Sequence, residues 1–217
     1  SVTAATGFQK VVYKTKPTIT IASAGATLGA TLTPIIRFTV AADSAEQVSW
    51  KKVQLSVTMS GATMTAVTAA PGTSGNVTLK PVGSSNLNIA TAFSGNAVAS
   101  SSQATITGGN TGFVTLILNT AEDIAAGSSK TYEVALTFSD LTATGSGGAN
   151  ASVKLHQGET TLLAATSQAG VETATIDGQP SFIWSDNSVV GHTESTADWA
   201  NSVFVKTLPS DPISTKN

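Results

Sequence analysis

Between residues 51 and 59 apolar and polar side chains take strict turns, with Val53, Leu55, Val57 and Met59 on one side and Lys52, Gln54, Ser56 and Thr58 on the other. A period of two belongs to a strand with one face on a core, and it excludes a helix, whose apolar positions recur every three to four residues. Tyr132, Val134, Leu136 and Phe138 repeat the pattern against Thr131, Glu133 and Thr137. Shorter runs rich in β-branched and aromatic residues predict further strands at 18–21, 35–40, 77–79, 87–89, 113–118, 152–155, 182–184 and 203–205. Turn-forming pairs such as Pro71-Gly72, Gly75-Asn76, Gly83-Ser84 and Gly108-Gly109 punctuate them. The only helical pieces the pattern offers are short, at 120–126 and at 195–200, where Ser195 or Thr196 would cap a single turn.

A doubly wound α/β fold needs amphipathic helices of about 10 to 15 residues between its strands, and the chain has none. The expected fold is all-β: an antiparallel β-sandwich, Ig-like or jelly-roll-like, with an extended N-terminal arm. Residues 1–17 read as that arm, closed by the basic stretch Tyr13-Lys14-Thr15-Lys16-Pro17, whose proline interrupts any ladder. Residues 18–209 read as the sandwich. Residues 210–217, polar and without apolar periodicity, read as a C-terminal tail. A chain that begins at Ser1 with no basic and apolar leader reads as processed or trimmed.

Composition sharpens this picture. The 217 residues are 41% hydrophobic but only 11% charged, against a usual charged share of about 25%. Serine and threonine, 26 and 34 of them, must therefore supply most of the surface. The formal net charge is −2 and there is no cysteine, which excludes a disulfide scaffold and argues against a basic nucleic-acid binder. No run approaches the roughly 20 apolar residues of a membrane-spanning helix.

Candidate chemistry is sparse. The two histidines are His156 and His192, and a Ser-His-Asp arrangement around His192 would draw on Asp186 or Asp198. No G-x-S-x-G elbow accompanies them. Gly127-Ser128-Ser129-Lys130-Thr131 echoes the end of a phosphate loop, but a strand follows it, so it reads as a hairpin turn. No cofactor is called for. The one candidate cation site is for calcium, with oxygen ligands from Asp186, Asn187 and Asp198 in a loop-rich stretch; the same residues also suit Asx turns and a helix cap. Trp184 and Trp199 flank that loop. They suit either a sugar platform or the packing of the loop, and the scarcity of aromatics, 6% of residues, favours packing.

Four segments carry a wider resemblance: 12–19, 38–52, 126–132 and 182–209, the last containing Phe182-Ile183-Trp184-Ser185-Asp186 and Val205-Lys206-Thr207-Leu208-Pro209. In this order they resemble an uncharacterised family of secreted β-rich proteins from candidate-phyla (patescibacterial) bacteria. The resemblance implies a cell-surface location and a β-sandwich, and no activity.

Two functions follow as expectations. The first is a non-enzymatic extracellular subunit that self-assembles into a pilus-like filament or surface layer. Its arm, through Phe8, Val11, Val12 and Tyr13, would add a strand to a neighbouring copy, so that the expected partner is a further copy of the chain in a homopolymer. The alternative is a surface module or adhesin that binds glycan or a host protein.

Overall fold

The computed structural model describes residues 11–65, 77–94, 105–141, 148–172 and 180–217. In chain order the strands are β1 Thr18–Ser23, β2 Leu32–Ala41, β3 Val48–Ser60, β4 Met64–Thr65, β5 Val77–Pro81, β6 Ile89–Ser94 and β7 Thr105–Ile106. They continue with β8 Thr111–Ile124, β9 Ser129–Thr137, β10 Asn150–Leu155, β11 Ala164–Thr166, β12 Phe182–Ser185, β13 Trp199–Asn201 and β14 Ile213–Lys216. One helical turn, α1 Gln168–Val171, lies between β11 and β12. The all-β sandwich is what the alternation at 51–59 and 132–138 requires.

One sheet runs β1-β2-β9-β5, antiparallel throughout. The other is built on β3. Along one side β3 pairs with β8, which pairs with β6. Along its other side the first half of β3 pairs with β12, leading to β13 and β11, and the second half pairs with β10, leading to β14. The two sheets close over an aromatic centre. Trp50 of β3 meets Tyr132 of β9 edge-on at 4.9 Å, Tyr132 stacks on Phe38 of β2 at 5.3 Å, and Phe182 of β12 stacks on Trp50 at 6.0 Å. Burial of these rings and of the alternating aliphatic residues removes apolar area from water at about 25 cal/mol per Å².

β3 carries a bulge that sets what each face presents. Trp50 pairs with Glu122 and Lys52 with Ile117, while on the other side Trp184 pairs with Trp50 and Ile183 with Lys52. Lys51 is thus the extra residue against β12, whereas against β8 the extra residues, 118–121, lie on β8. Trp50 and Val53, three apart, both point into the core, while Lys51 and Lys52 serve the opposite face.

That opposite face is not solvent, contrary to the half-buried strand expected at 51–59. Ser49, Lys51, Lys52, Gln54 and Ser56 are all buried. The α1 segment with Glu172 and the loop carrying Glu194 cover them as a second layer, with a small apolar cluster in which Val171 packs on Ile183 and Trp199 of the same sheet. Gln54 donates to Thr115 Oγ1 at 3.0 Å, and the ammonium of Lys51 meets Glu194 and the carbonyl of Asn119. A carboxylate fastens the ends of β12 and β13. Glu159 accepts from the backbone N–H groups of Ser181 and Ser202 and from the Ser202 hydroxyl.

Several expectations are corrected. Residues 120–126 are not helical: β8 runs through to Ile124, held by its ladder to β3. Residues 195–200 form turns and then β13, with Ser195 and Thr196 bonded back to Thr193. Residues 203–205 are not a strand; Ser202–Phe204 is a 3₁₀ turn closed by the Val205 N–H on the Ser202 carbonyl. The polar tail is the largest difference. Ile213–Lys216 is a sheet strand paired with β10, with Thr215 buried, and the Lys216 carbonyl also accepts the Leu28 N–H. The hairpin turn expected at Gly127 is present, between β8 and β9, at φ +68°.

Candidate functional site

The loop after β12 gathers the residues singled out for chemistry. Asp186 accepts the Lys14 N–H at 2.8 Å and the Ser188 N–H at 3.2 Å, the latter an Asx turn. Asn187 adopts φ +49°, which asparagine tolerates better than most residues, and its side-chain oxygen accepts from Ser49 Oγ at 3.0 Å. Asp198 accepts from the Val189 N–H, from Thr196 Oγ1 at 2.7 Å and from His192 Nδ1 at 3.0 Å. Burial alone would raise the Asp198 pKa, but the hydrogen bonds from Thr196, His192 and Val189 outweigh it and hold the carboxyl below its usual range.

This geometry serves turns. Each oxygen set proposed for calcium is already aimed at by N–H or O–H donors, whose positive ends face the place a cation would occupy. Among the described residues no group of three or more His, Asp or Glu side chains is arranged to hold a metal.

His192, Ser185 and Asp198 do come together, yet not as a relay. Ser185 Oγ lies 3.5 Å from His192 Nδ1, and Asp198 contacts that same nitrogen. A serine-activating histidine needs its two partners on opposite ring nitrogens. Ser185 is moreover fully buried. His156 lies elsewhere, tilted against Phe113 at 4.8 Å, and burial, helped by nearby Lys154, lowers its pKa.

Trp184 and Trp199 are 1% and 0% exposed, so neither offers a face to a sugar. Each indole N–H is used internally, Trp184 on the Asn201 carbonyl and Trp199 on the Thr193 carbonyl, both at 2.9 Å. The packing role holds for both.

The arm residues separate. Phe8 lies outside the described residues. Val11 is half-buried and Val12 is 91% exposed. Tyr13 is committed within its own chain: its ring sits 4.9 Å from Trp184, and burial, with the Asp186 carboxylate adding, pushes its pKa up to about 12. Beyond it Thr15 and Pro17 are buried while Lys14, Lys16 and Thr18 face outward, so the strand-like alternation begins before β1.

Two features were not foreseen. The first is the edge of β1, whose residues Thr18–Ser23 carry no charge. The Ile19 N–H reaches Thr207 Oγ1 at 3.0 Å instead of β2, so the odd-numbered residues of β1 turn their backbone groups away from the sheet. By the same alternation the Ile21 N–H points away from β2. The second is a cleft of about 570 Å³ between the arm and residues 204–207, with Tyr13, Lys16, Phe204 and Lys206 among its walls. The basic stretch before Pro17 was the sequence signal for it; Phe204 lay hidden in a run, 203–205, expected to be a core strand, and Lys206 directly follows that run. Among the described residues no helix is long and apolar enough to cross a membrane. No protein-family model matches the chain, and no curated protein matches it either.

Proposed function

We propose that the chain is a structural, non-enzymatic subunit of an extracellular cell-surface assembly, a filament or a layer, in which copies join by β-strand addition. The observation that carries this reading is the edge of β1. Folded proteins protect sheet edges with lysine, proline, bulges or a covering loop, because an open row of N–H and C=O groups invites another strand. The other edge of the same sheet, β5, ends in Lys80 and Pro81. β1, TITIAS, has neither, and only Thr207 caps one of its outward donors.

A charge-poor surface of hydroxyl side chains lets copies approach without repulsion, and a secreted setting is what the family resemblance implies. The donor would be residues 1–12, with Phe8 and Val12 as anchors on one face of the added strand and Val11 on the other, since Tyr13 is held by its own domain. Head-to-tail addition of this kind does not close, and so makes fibres.

Negative-stain electron microscopy with a sizing run on the full chain, and on a chain lacking residues 1–12, tests this. Filaments or sheets that give way to a folded monomer after truncation support arm donation. Polymers that persist after truncation refute the arm as donor, and a full chain that stays monomeric at all concentrations refutes the assembly itself.

A further inference from the structure

In a chain this poor in charge, most described cations face a carboxylate: Lys14 with Glu46, Arg37 and Lys80 with Glu133, Lys51 with Glu194, Lys52 with Glu172 and Lys130 with Glu122. Lys16, Lys154, Lys206 and Lys216 have no carboxylate partner among the described residues, and two of them, Lys16 and Lys206, line the cleft beside the arm. Phe204 stands with them. It is 51% exposed and is the one aromatic among the large exposed hydrophobic residues described. The Lys16 ammonium lies 5.3 Å from the ring centres of both Tyr13 and Phe204, so the cation is held at the mouth by two aromatic faces.

The walls are fixed before any ligand arrives. On one side the turn that presents Phe204 is anchored through Ser202, whose N–H and hydroxyl are taken by Glu159. Thr207 is tied to Ile19, and on the other side Lys14 is tied through its N–H to Asp186, with Thr15 and Pro17 buried beneath. Tyr13 Oη and Thr15 Oγ1 belong to these walls and are buried without a hydrogen-bond partner, which leaves bonding capacity unused there. A preformed site loses little ordering entropy on binding. Its volume falls within the range of about 300–1,000 Å³ usual for small-ligand sites.

We propose that this cleft binds an acidic saccharide, with a hexuronate ring as the recognised unit. The carboxylate would lie between Lys16 and Lys206, the apolar C–H face of the ring against Phe204, and the ring hydroxyls against Thr18, Thr207 and the Asp43 carboxylate that closes the rim. Asp43 is what favours a sugar over a denser anion. A carboxylate on the rim accepts from hydroxyl groups but repels a second negative charge, which suits a ligand with one carboxylate per ring. The cleft adjoins the β1 edge through Thr18 and Thr207, but ligand binding there does not depend on polymer formation.

The test is calorimetric titration of the full chain with trigalacturonate, with maltotriose and triglutamate as neutral and peptide controls. Trigalacturonate should bind with a dissociation constant below about 1 mM and maltotriose should not. Lys16→Gln and Lys206→Gln should each weaken binding by about tenfold, the worth of a charge-assisted hydrogen bond. Phe204→Ala should weaken it by roughly fivefold. Should Phe204→Ala loosen its turn, the two lysine variants, at exposed positions, carry the test alone. Absence of trigalacturonate binding at millimolar concentration overturns the proposal, as does binding by both lysine variants as tight as the parent's. Triglutamate binding as tightly as trigalacturonate overturns it as well, because the cleft would then read charge and not sugar.

Discussion

Lys52 Nζ lies 3.4 Å from Glu172 Oε1, on the face of β3 turned away from the sandwich core, and the Lys52 side chain is fully buried. The pair joins the central strand to the residue that follows α1, and so fastens the covering layer to the sheet. Removing one partner from such a pair is costlier than removing both, because the survivor stays buried and loses its counter-charge. Glu172→Gln should therefore lower stability by about 3 kcal/mol, and the double variant Lys52→Met with Glu172→Gln should recover most of that loss. Urea unfolding monitored by tryptophan fluorescence measures both. A loss below about 1 kcal/mol for Glu172→Gln would show that the pair is solvated and does not hold the layer.

Acid should unfold the protein in two stages. Burial lowers the His156 pKa, with Lys154 adding, so the unfolded chain takes up a proton there first as pH falls below about 6.5. Glu159, Asp198 and Glu133 have lowered pKa values. For each, burial pulls upward and is outweighed: by bonds from Ser202 and Ser181 at Glu159, from Thr196 and His192 at Asp198, and by Arg37 and Lys80 at Glu133. Groups with depressed folded-state values contribute stability above their unfolded values, about 3.9 for Asp and 4.3 for Glu, and lose it as pH falls through the folded ones. The melting temperature should thus dip gently from about pH 6.5 and fall steeply below about pH 4. His156→Gln should remove the first stage only, and Glu159→Gln should flatten the second. A melting temperature that does not change between pH 7 and pH 3 contradicts both assignments.

Trp199 closes the second layer. It packs with Val171 and Ile183, donates to the Thr193 carbonyl and lies beside the His192 ring at 5.2 Å. Truncation to alanine leaves a cavity among Val171, Ile183 and Leu163, at a cost of about 3–5 kcal/mol. Chemical denaturation of Trp199→Ala should show that loss, while the aromatic centre around Trp50 stays packed. A variant as stable as the parent would mean that the layer is not closed over this ring.

The amount of this architecture that could be read beforehand follows from what alternation encodes. The run Val53 to Met59 and the run Tyr132 to Phe138 announce strands and name their inner faces, because a period of two has no other common cause. It says nothing of what covers the outer face. The sequence pattern Trp50-x-x-Val53 does contain the bulge, as a slip of one in the phase, but only the pairing with β12 shows that Lys51 is the extra residue. Val203-Phe204-Val205 is too short a run for periodicity to separate strand from turn, and its central residue proves half exposed. In the C-terminal segment two prolines mask a strand whose alternation, Ile213 and Thr215 inward, survives in only four residues. The loop chemistry was partly legible. Asp186, Asn187 and Asp198 suited turns from their type alone, whereas the partners of Asp186 and Asn187, Lys14 and Ser49, are more than a hundred residues away.

The edge of β1 gives the assembly reading its sharpest test, because it can be blocked without touching the core. Thr20 is exposed and sits in the middle of the strand; a lysine there is the device by which natural edges resist pairing. Ile21 offers the complementary change. Its N–H points away from β2, so Ile21→Pro removes an outward donor and leaves the β1–β2 ladder intact, at the cost of some packing by the Ile21 side chain. Thr20→Lys should leave the thermal stability of the monomer within about 0.5 kcal/mol of the parent, as a surface change does. Both variants should stop polymer growth while still offering their own arms, so that mixed with parent subunits they terminate filaments and shorten them in proportion to their share. Length distributions from electron micrographs of such mixtures measure this directly. Filaments of unchanged length in equal mixtures would mean that β1 is not the acceptor edge.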